Sequence, residues 1–365
     1  MARSAAAWAF AVRWRWYLCA APAITLLWML YLLSSDQRPR VFAHSRPLSA
    51  DNSTDNSTVD NSLSQQPLTG AGNSTLGFEA ILALSPFPSW RTTGLQAAAQ
   101  LTGLDIQIPP QPPISPEIID AFASLGPEDA RHPNHGSAVA WMAHLDLIKH
   151  VVQSEFETAL ILEDDVDWDL SIREQMVGVA EAVRRLTKTA DSTADSTAAP
   201  YGLSWDVLWV GLCAETWDRG FETQFIDDET VIPADRYVGL GKAPVDRLPS
   251  GQRAVFYSGA PICTFAYALT REGARNVLLD VGAGKDEAFD ISLMNGCRER
   301  NLTCISVLPE LFRHYIPSDK VGGSSLVNSK GDGETGTDIE EEMGHTENIL
   351  ESARCHALWG QPCLA

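Results

Sequence analysis

Five carboxylates, Glu163, Asp164, Asp165, Asp167 and Asp169, fall within seven residues directly after the apolar run Ala159-Leu160-Ile161-Leu162. Such a run reads as a buried strand, and open α/β sheets bind ligands beyond the C-terminal ends of their strands. Carboxylates crowded this closely repel one another and stay ionised together only with a cation among them. An oxygen-rich donor set selects a hard divalent ion, magnesium or manganese. A solvated acidic turn after a strand satisfies the same spacing, and both readings stand at this level.

Charge limits the partners. At a formal net charge of −20 the chain has no basic cluster to track a phosphate backbone, which excludes nucleic acid. A phosphate-bearing ligand would therefore have to arrive with a metal.

The elements that must hold the acids follow from periodicity. Glu79 to Leu84 reads as a strand, and Gly136 to Val152 as a helix with Trp141, Leu145, Ile148 and Val152 on one face. After the acidic strand, Ser171 to Glu174 has the spacing of a capping box opening a helix to about Leu186. Strands are predicted at Trp205 to Gly211, within Val255 to Leu269 and at Cys304 to Phe312. Helices are predicted at Arg271 to Asp280, capped by Thr270, and near Glu287 to Arg300. Alternation of this kind defines an α/β domain, placed at 76–326. Pro109 to Pro116 is too rich in proline for regular structure and reads as an irregular loop.

Ahead of that domain, Tyr17 to Leu33 carries no charge over 17 residues and has only Pro22 as a breaker. This is long enough to span a thin bilayer, and no small-residue cleavage pattern follows it, so a signal anchor is preferred to a cleaved signal peptide. Residues 1–16 then form a cytoplasmic tail, and 34–75, with "DNSTDNSTVDNS", a tether too polar to fold. Sequons at Asn52, Asn56, Asn73 and Asn301 all follow the span, which puts the remainder in a glycosylating lumen. "TADSTADSTAAP" at 189–200 reads as a surface loop, and 327–365 as an acidic mobile tail ending in a helix. Six cysteines follow the span, and two short spacings suggest Cys297 with Cys304 and Cys355 with Cys363; buried free thiols are the alternative.

Five blocks then resemble, in order, those of glycosyltransferase family 25, especially its fungal branch. They are "GSAVAWMAHLDLIKHVVQSEFETALILEDDVDWD" (136–169), "WDVLWVG" (205–211), "TFAYALTREGARNVL" (264–278), "FDISL" (289–293) and "TENILESAR" (346–354). The resemblance covers roughly 76–355 and implies a GT-A-like, Rossmann-type nucleotide-sugar domain in a type II Golgi membrane protein. It implies an inverting, manganese- or magnesium-dependent transfer of a hexose, often galactose, from a UDP-sugar to a glycan or glycoprotein acceptor.

Glu163, Asp164 and Asp165 match the family's acid motif. Asp165 is the expected metal ligand, with Glu163 and Asp164 on the donor, while Asp167 and Asp169 read as structural or solvated. Asp290 occupies the acidic position of "FDISL" and is the candidate base for the acceptor hydroxyl; a helix-terminus acid stabilising the dipole is the alternative. His314 could complete the metal shell or be an ordinary hydrogen-bonded histidine, and His144 reads as packing. Where the family has an Arg-rich turn on the nucleotide, "ILALSPFPSWRTTGL" keeps only Arg91, assigned to donor binding. That erosion leaves a second class open: a catalytically degenerate relative acting as a glycan-binding or assembly partner.

Overall fold

Strands buried on both faces require apolar side chains at every position, and the centre of this chain supplies them. The computed structural model describes residues 70–126, 131–189, 199–318 and 342–363. In chain order the first elements are β1 (Ala80–Leu84), α1 (Trp90–Thr102), β2 (Ile106–Gln107), α2 (Pro116–Ala123) and α3 (His135–Gln153). Then come β3 (Thr158–Glu163), β4 (Val166–Trp168), α4 (Ile172–Leu186), β5 (Val207–Gly211), β6 (Thr223–Asp227) and the single turn α5 (Lys242–Val245). The remainder is β7 (Gln252–Tyr257), β8 (Ala266–Thr270), α6 (Arg271–Val281), α7 (Phe289–Arg298), β9 (Cys304–Leu308), β10 (Phe312–Ile316), β11 (His345–Thr346) and α8 (Ala353–Trp359).

Eight strands form one sheet in the order β2-β1-β3-β8-β5-β9-β7-β6. Their pairings set β1, β2, β3, β5, β6 and β9 in one direction and β7 and β8 in the other. Alternate residues feed opposite cores. Ile81, Ala83, Leu160 and Leu162 pack with α1 and α4, whereas Ala80, Leu82, Ala159 and Ile161 pack with α3 and the Phe289 and Leu293 side of α7. A one-residue slip would exchange every one of these side chains between layers. The result is mixed α/β, with helices on both faces of a central sheet. A second, three-stranded sheet has the order β11-β10-β4.

Several boundaries differ from expectation for local reasons. The expected last strand is two, β9 and β10, interrupted at Pro309 and Glu310. The capping box does not form: Ser171 adopts φ −87 and ψ 15 and its side chain caps nothing, because Asp169 Oδ1 has taken the Ser171 N–H at 2.9 Å. The polar tether ends before 75. Gly70–Gly72 is a helical turn, Leu76 is fully buried, and the Tyr201 hydroxyl donates to Leu76 O at 2.6 Å. The mobile tail expected from 327 is, over 342–363, packed structure that contributes β11 and α8.

Cysteines pair as Cys213–Cys263, Cys297–Cys304 and Cys355–Cys363, so both short spacings form disulfides. Asn301 and Thr303 are exposed, as a sequon requires, whereas Asn73 spends its Oδ1 on Thr75 N and Gly77 N. The 17–33 segment, Asn52, Asn56, most of the 189–200 insert and residues 319–341 lie outside the described residues. Among the described residues no helix is long and apolar enough to cross a membrane.

Candidate active site

Because β8 runs against β3, its N-terminal end meets the C-terminal ends of β1 and β3 at one edge of the sheet. Glu163 closes β3 there. Its Oε1 accepts from Thr264 Oγ1 at 3.0 Å and lies 3.9 Å from His144 Nε2. Burial, and then repulsion from Asp165, push the Glu163 carboxyl up to about 8, so it holds a proton at neutral pH. His144 is buried on α3, stacked on Phe289 with 4.4 Å between ring centroids, and its Nδ1 meets the Tyr267 hydroxyl at 3.0 Å. Burial holds the imidazole down at about 3, so it is neutral. The expected packing role holds, and the ring also lines the cleft.

Asp164 accepts from Ser85 Oγ at 2.6 Å, and its Oδ1 lies 3.5 Å from Arg91 Nη1. Burial and the charge of Asp165 push it up to about 6, against the opposing pull of Arg91. Asp165 pairs with Arg91 through Oδ2. Its Oδ1 is buried and has no hydrogen-bond partner. Arg91 is thus a cation supplied by the chain itself, and it answers part of the repulsion that the sequence assigned to a metal.

His314 stands beside Asp165. It lies opposite Val166 in the β4–β10 ladder, and the next residue, Tyr315, donates its N–H to Asp165 O at 2.7 Å. His314 Nδ1 is also buried without a partner. Burial holds its imidazole below the usual range, which favours the neutral form that ligates metals. Among the described residues no group of three or more His, Cys, Asp or Glu side chains is arranged to hold a metal ion.

Asp290 opens α7, accepting from Cys263 N–H at 3.0 Å and from its own Ile291 N–H at 2.9 Å. Its charge reaches Glu163 and adds to the rise there. Cys263 takes φ 67, in the left-handed region, and is tied to the end of β5 by Cys213. Glu163, Asp164, Asp165 and Arg91 line a cleft of about 580 Å³ together with Pro112, Pro113 and Ile114 and with Val139 and Ala140 of α3, whereas Asp290 and His314 are not among its lining residues. The proline-rich loop is therefore a wall of the site.

Asp167 and Asp169, two and four residues beyond Asp165, are structural. Asp167 is fully buried and accepts from Thr346 Oγ1 at 2.6 Å, Arg354 N at 2.9 Å, Trp168 N at 2.8 Å and the Ser352 hydroxyl. Asp169 Oδ2 accepts from Glu351 N at 3.0 Å. The Arg354 guanidinium, wholly buried, lies 5.1 Å from the Trp90 ring and 4.6 Å from the Tyr315 ring, donates to Trp90 O, and opposes the rise at Asp164. It fills the space over Gly94, where a Cβ would come within 2.3 Å of it. Ser85, Thr264, Tyr267 and Arg354 were not singled out from the sequence, although Thr264 and Tyr267 lie inside the block "TFAYALTREGARNVL" and Arg354 inside "TENILESAR".

No protein family and no curated protein sequence matches this chain. Among solved structures it is similar to one titled "Crystal Structure of A197 from STIV", with 7% identity and a TM-score of 0.28 over 64% of this chain and 82% of that one. The functional reading therefore rests on the geometry of the site.

Proposed function

We propose that the chain is a metal-dependent inverting glycosyltransferase, moving a hexose, galactose by the family resemblance, from a UDP-sugar to a glycan or glycoprotein acceptor. In this reading the domain is GT-A-like and residues 17–33 hold it at the Golgi membrane. The observation that carries the proposal is a pair of buried, unpartnered atoms, Asp165 Oδ1 in the turn between β3 and β4, which lines the cleft, and His314 Nδ1 on β10, the strand paired with β4. Buried polar atoms without partners are rare, and two together favour a missing ligand.

A manganese or magnesium ion, when bound, neutralises charge developing on the leaving diphosphate. Asp165 and His314 would hold it. Ile114, Val139 and Ala140 offer an apolar wall to a flat base, and protonated Glu163 offers a hydroxyl to a ribose or sugar oxygen. Asp290, held by two backbone N–H groups, takes the proton from the acceptor hydroxyl.

The test is manganese-dependent hydrolysis of a panel of UDP-sugars by the purified protein, which needs no acceptor. Release of UDP from one hexose donor, abolished by chelation, is the expected result. No release from any donor with either metal would overturn the reading. The Arg91 pair favours the second reading, a degenerate glycan-binding relative, because an internal guanidinium gives the acids a reason to persist without a metal.

A further inference from the structure

On this acidic chain one concave surface combines aromatic rings with two guanidiniums that pair with no carboxylate among the described residues. Beyond the end of β5, a second cleft of about 410 Å³ is lined by Trp217, Phe221 and Phe225 together with Arg219 and Arg247. Its aromatic floor is built to keep its shape. The Trp217 indole N–H donates to Thr223 Oγ1 at 3.0 Å, Phe225 meets Trp217 edge-on with 6.3 Å between centroids, and Phe221 meets Phe256 likewise at 5.8 Å. Trp217 itself is buried, at 2% exposure, and supports the floor, while Phe225, on the edge strand β6, keeps 40% of its surface exposed and is the ring open to a ligand.

The guanidiniums are not neutralised by their surroundings. Among the described residues Arg219 makes no hydrogen bond or ion pair, and Arg247 donates only to the carbonyl of Trp217. No acid in the described residues pairs with either guanidinium: Asp218 Oδ1 accepts from Gly220 N, Asp246 pairs with Lys242, and Glu222, between Phe221 and Thr223, is exposed. An aromatic face packs against the C–H face of a pyranose ring, and a guanidinium fork matches an oxyanion. A protein at −20 that keeps both in one hollow presents charge complementarity for an anion which the rest of its surface would repel.

From this juxtaposition we infer that the Trp217–Phe225–Arg219–Arg247 cleft is a binding site for an anionic sugar, a pyranose carrying a carboxylate or an equivalent oxyanion. The cleft has no lining residue in common with the acid cluster, and the two are linked through the chain and one disulfide. Trp217 lies four residues from Cys213, which is bonded to Cys263, whose N–H holds Asp290. If the transferase reading holds, the cleft binds the acceptor; that role rests on the reading, whereas the binding does not.

The experiment titrates trigalacturonate, with neutral galactotriose as control, into the full-length protein by calorimetry at low and at 0.5 M salt. Trigalacturonate is expected to bind and galactotriose to bind at least tenfold more weakly, with salt narrowing the gap. Arg219→Glu, which breaks no contact of the fold, should abolish trigalacturonate binding, and Phe225→Ala should weaken it about tenfold, both with unchanged melting temperatures. Equal binding of the two sugars, no binding of either, or wild-type binding by Arg219→Glu would overturn the proposal. UDP-sugar hydrolysis should be untouched by Arg219→Glu. Loss of hydrolysis in the wild-type protein would sink the transferase reading and leave the cleft to be judged by trigalacturonate alone.

Discussion

Two halves of one acidic run meet opposite fates. Both oxygens of Asp167 and of Asp169 accept hydrogen bonds, most of them from the 342–363 segment, while Asp165, two residues before Asp167, keeps a buried oxygen with no partner. The residue types are the same and the strand context is nearly the same. What differs is which element faces them. Beyond β4 the facing element is a loop and helix start rich in N–H and hydroxyl groups; ahead of it lie the cleft and a single guanidinium. A carboxylate that already has all its hydrogen bonds holds a fold together, and one that lacks them has something left to bind.

The strongest way to break that comparison is to remove each acid in turn. Asp167→Ala strands four buried donors at about 1–3 kcal/mol each, so a loss on the order of 5 kcal/mol is expected in urea denaturation, a large share of typical stability. Asp165→Asn relieves repulsion from Glu163 and Asp164 but weakens the buried pair with Arg91, so a smaller loss, about 1–3 kcal/mol, is expected. Comparable losses in the two variants would erase the distinction.

Next in size, Asp290→Asn should leave manganese and UDP-sugar binding near normal while transfer falls about 10²- to 10⁴-fold, or roughly 3–5 kcal/mol. Asp165→Asn should weaken both kinds of binding together. Retained transfer with an unchanged pH profile in Asp290→Asn would make Asp290 a helix-terminus acid.

Glu163 sharpens the comparison through pH. Its carboxyl moves from an ordinary 4.5 to about 8 on folding, so the folded state keeps a proton that the unfolded chain loses. That contribution is complete below 4.5 and disappears as pH rises through 8. Glu163→Gln cannot ionise and should gain on the wild type between pH 5 and 9, by on the order of 3 kcal/mol, read from melting temperatures across that range. A gap independent of pH would show that Glu163 is not held protonated. The smallest effect is expected from His314→Gln, about tenfold in manganese affinity or 1.4 kcal/mol, with stability unchanged.

Much of the fold was legible because β1 and β5 and the interiors of β3 and β8 are apolar and α3 and α4 are periodic, signals that local burial imposes on sequence. The position of the acids after β3 was legible for the same reason. Their partners were not. Ser85 reaches Asp164 across 79 residues and Thr346 reaches Asp167 across 179, separations that no spacing rule covers. Arg91 was identified as a site residue, but its pairing with Asp164 and Asp165 depends on where α1 packs. The 342–363 segment looked mobile because the acidic stretch before it dominates the composition, although Arg354 and Cys355 within it are wholly buried.

The lacing of Asp167 to Thr346, Ser352 and Arg354 also orders events at the ribosome. Every strand of the eight-stranded sheet is polymerised before residue 342, so the emerging chain can assemble its sheet while Asp167 still awaits most of its donors. The acid turn reaches its final shape only after residues 342–363 have cleared the exit tunnel and Cys355 can find Cys363. A translation stop between 318 and 342 would therefore release a sheet whose acid turn lacks the Thr346, Ser352 and Arg354 donors to Asp167.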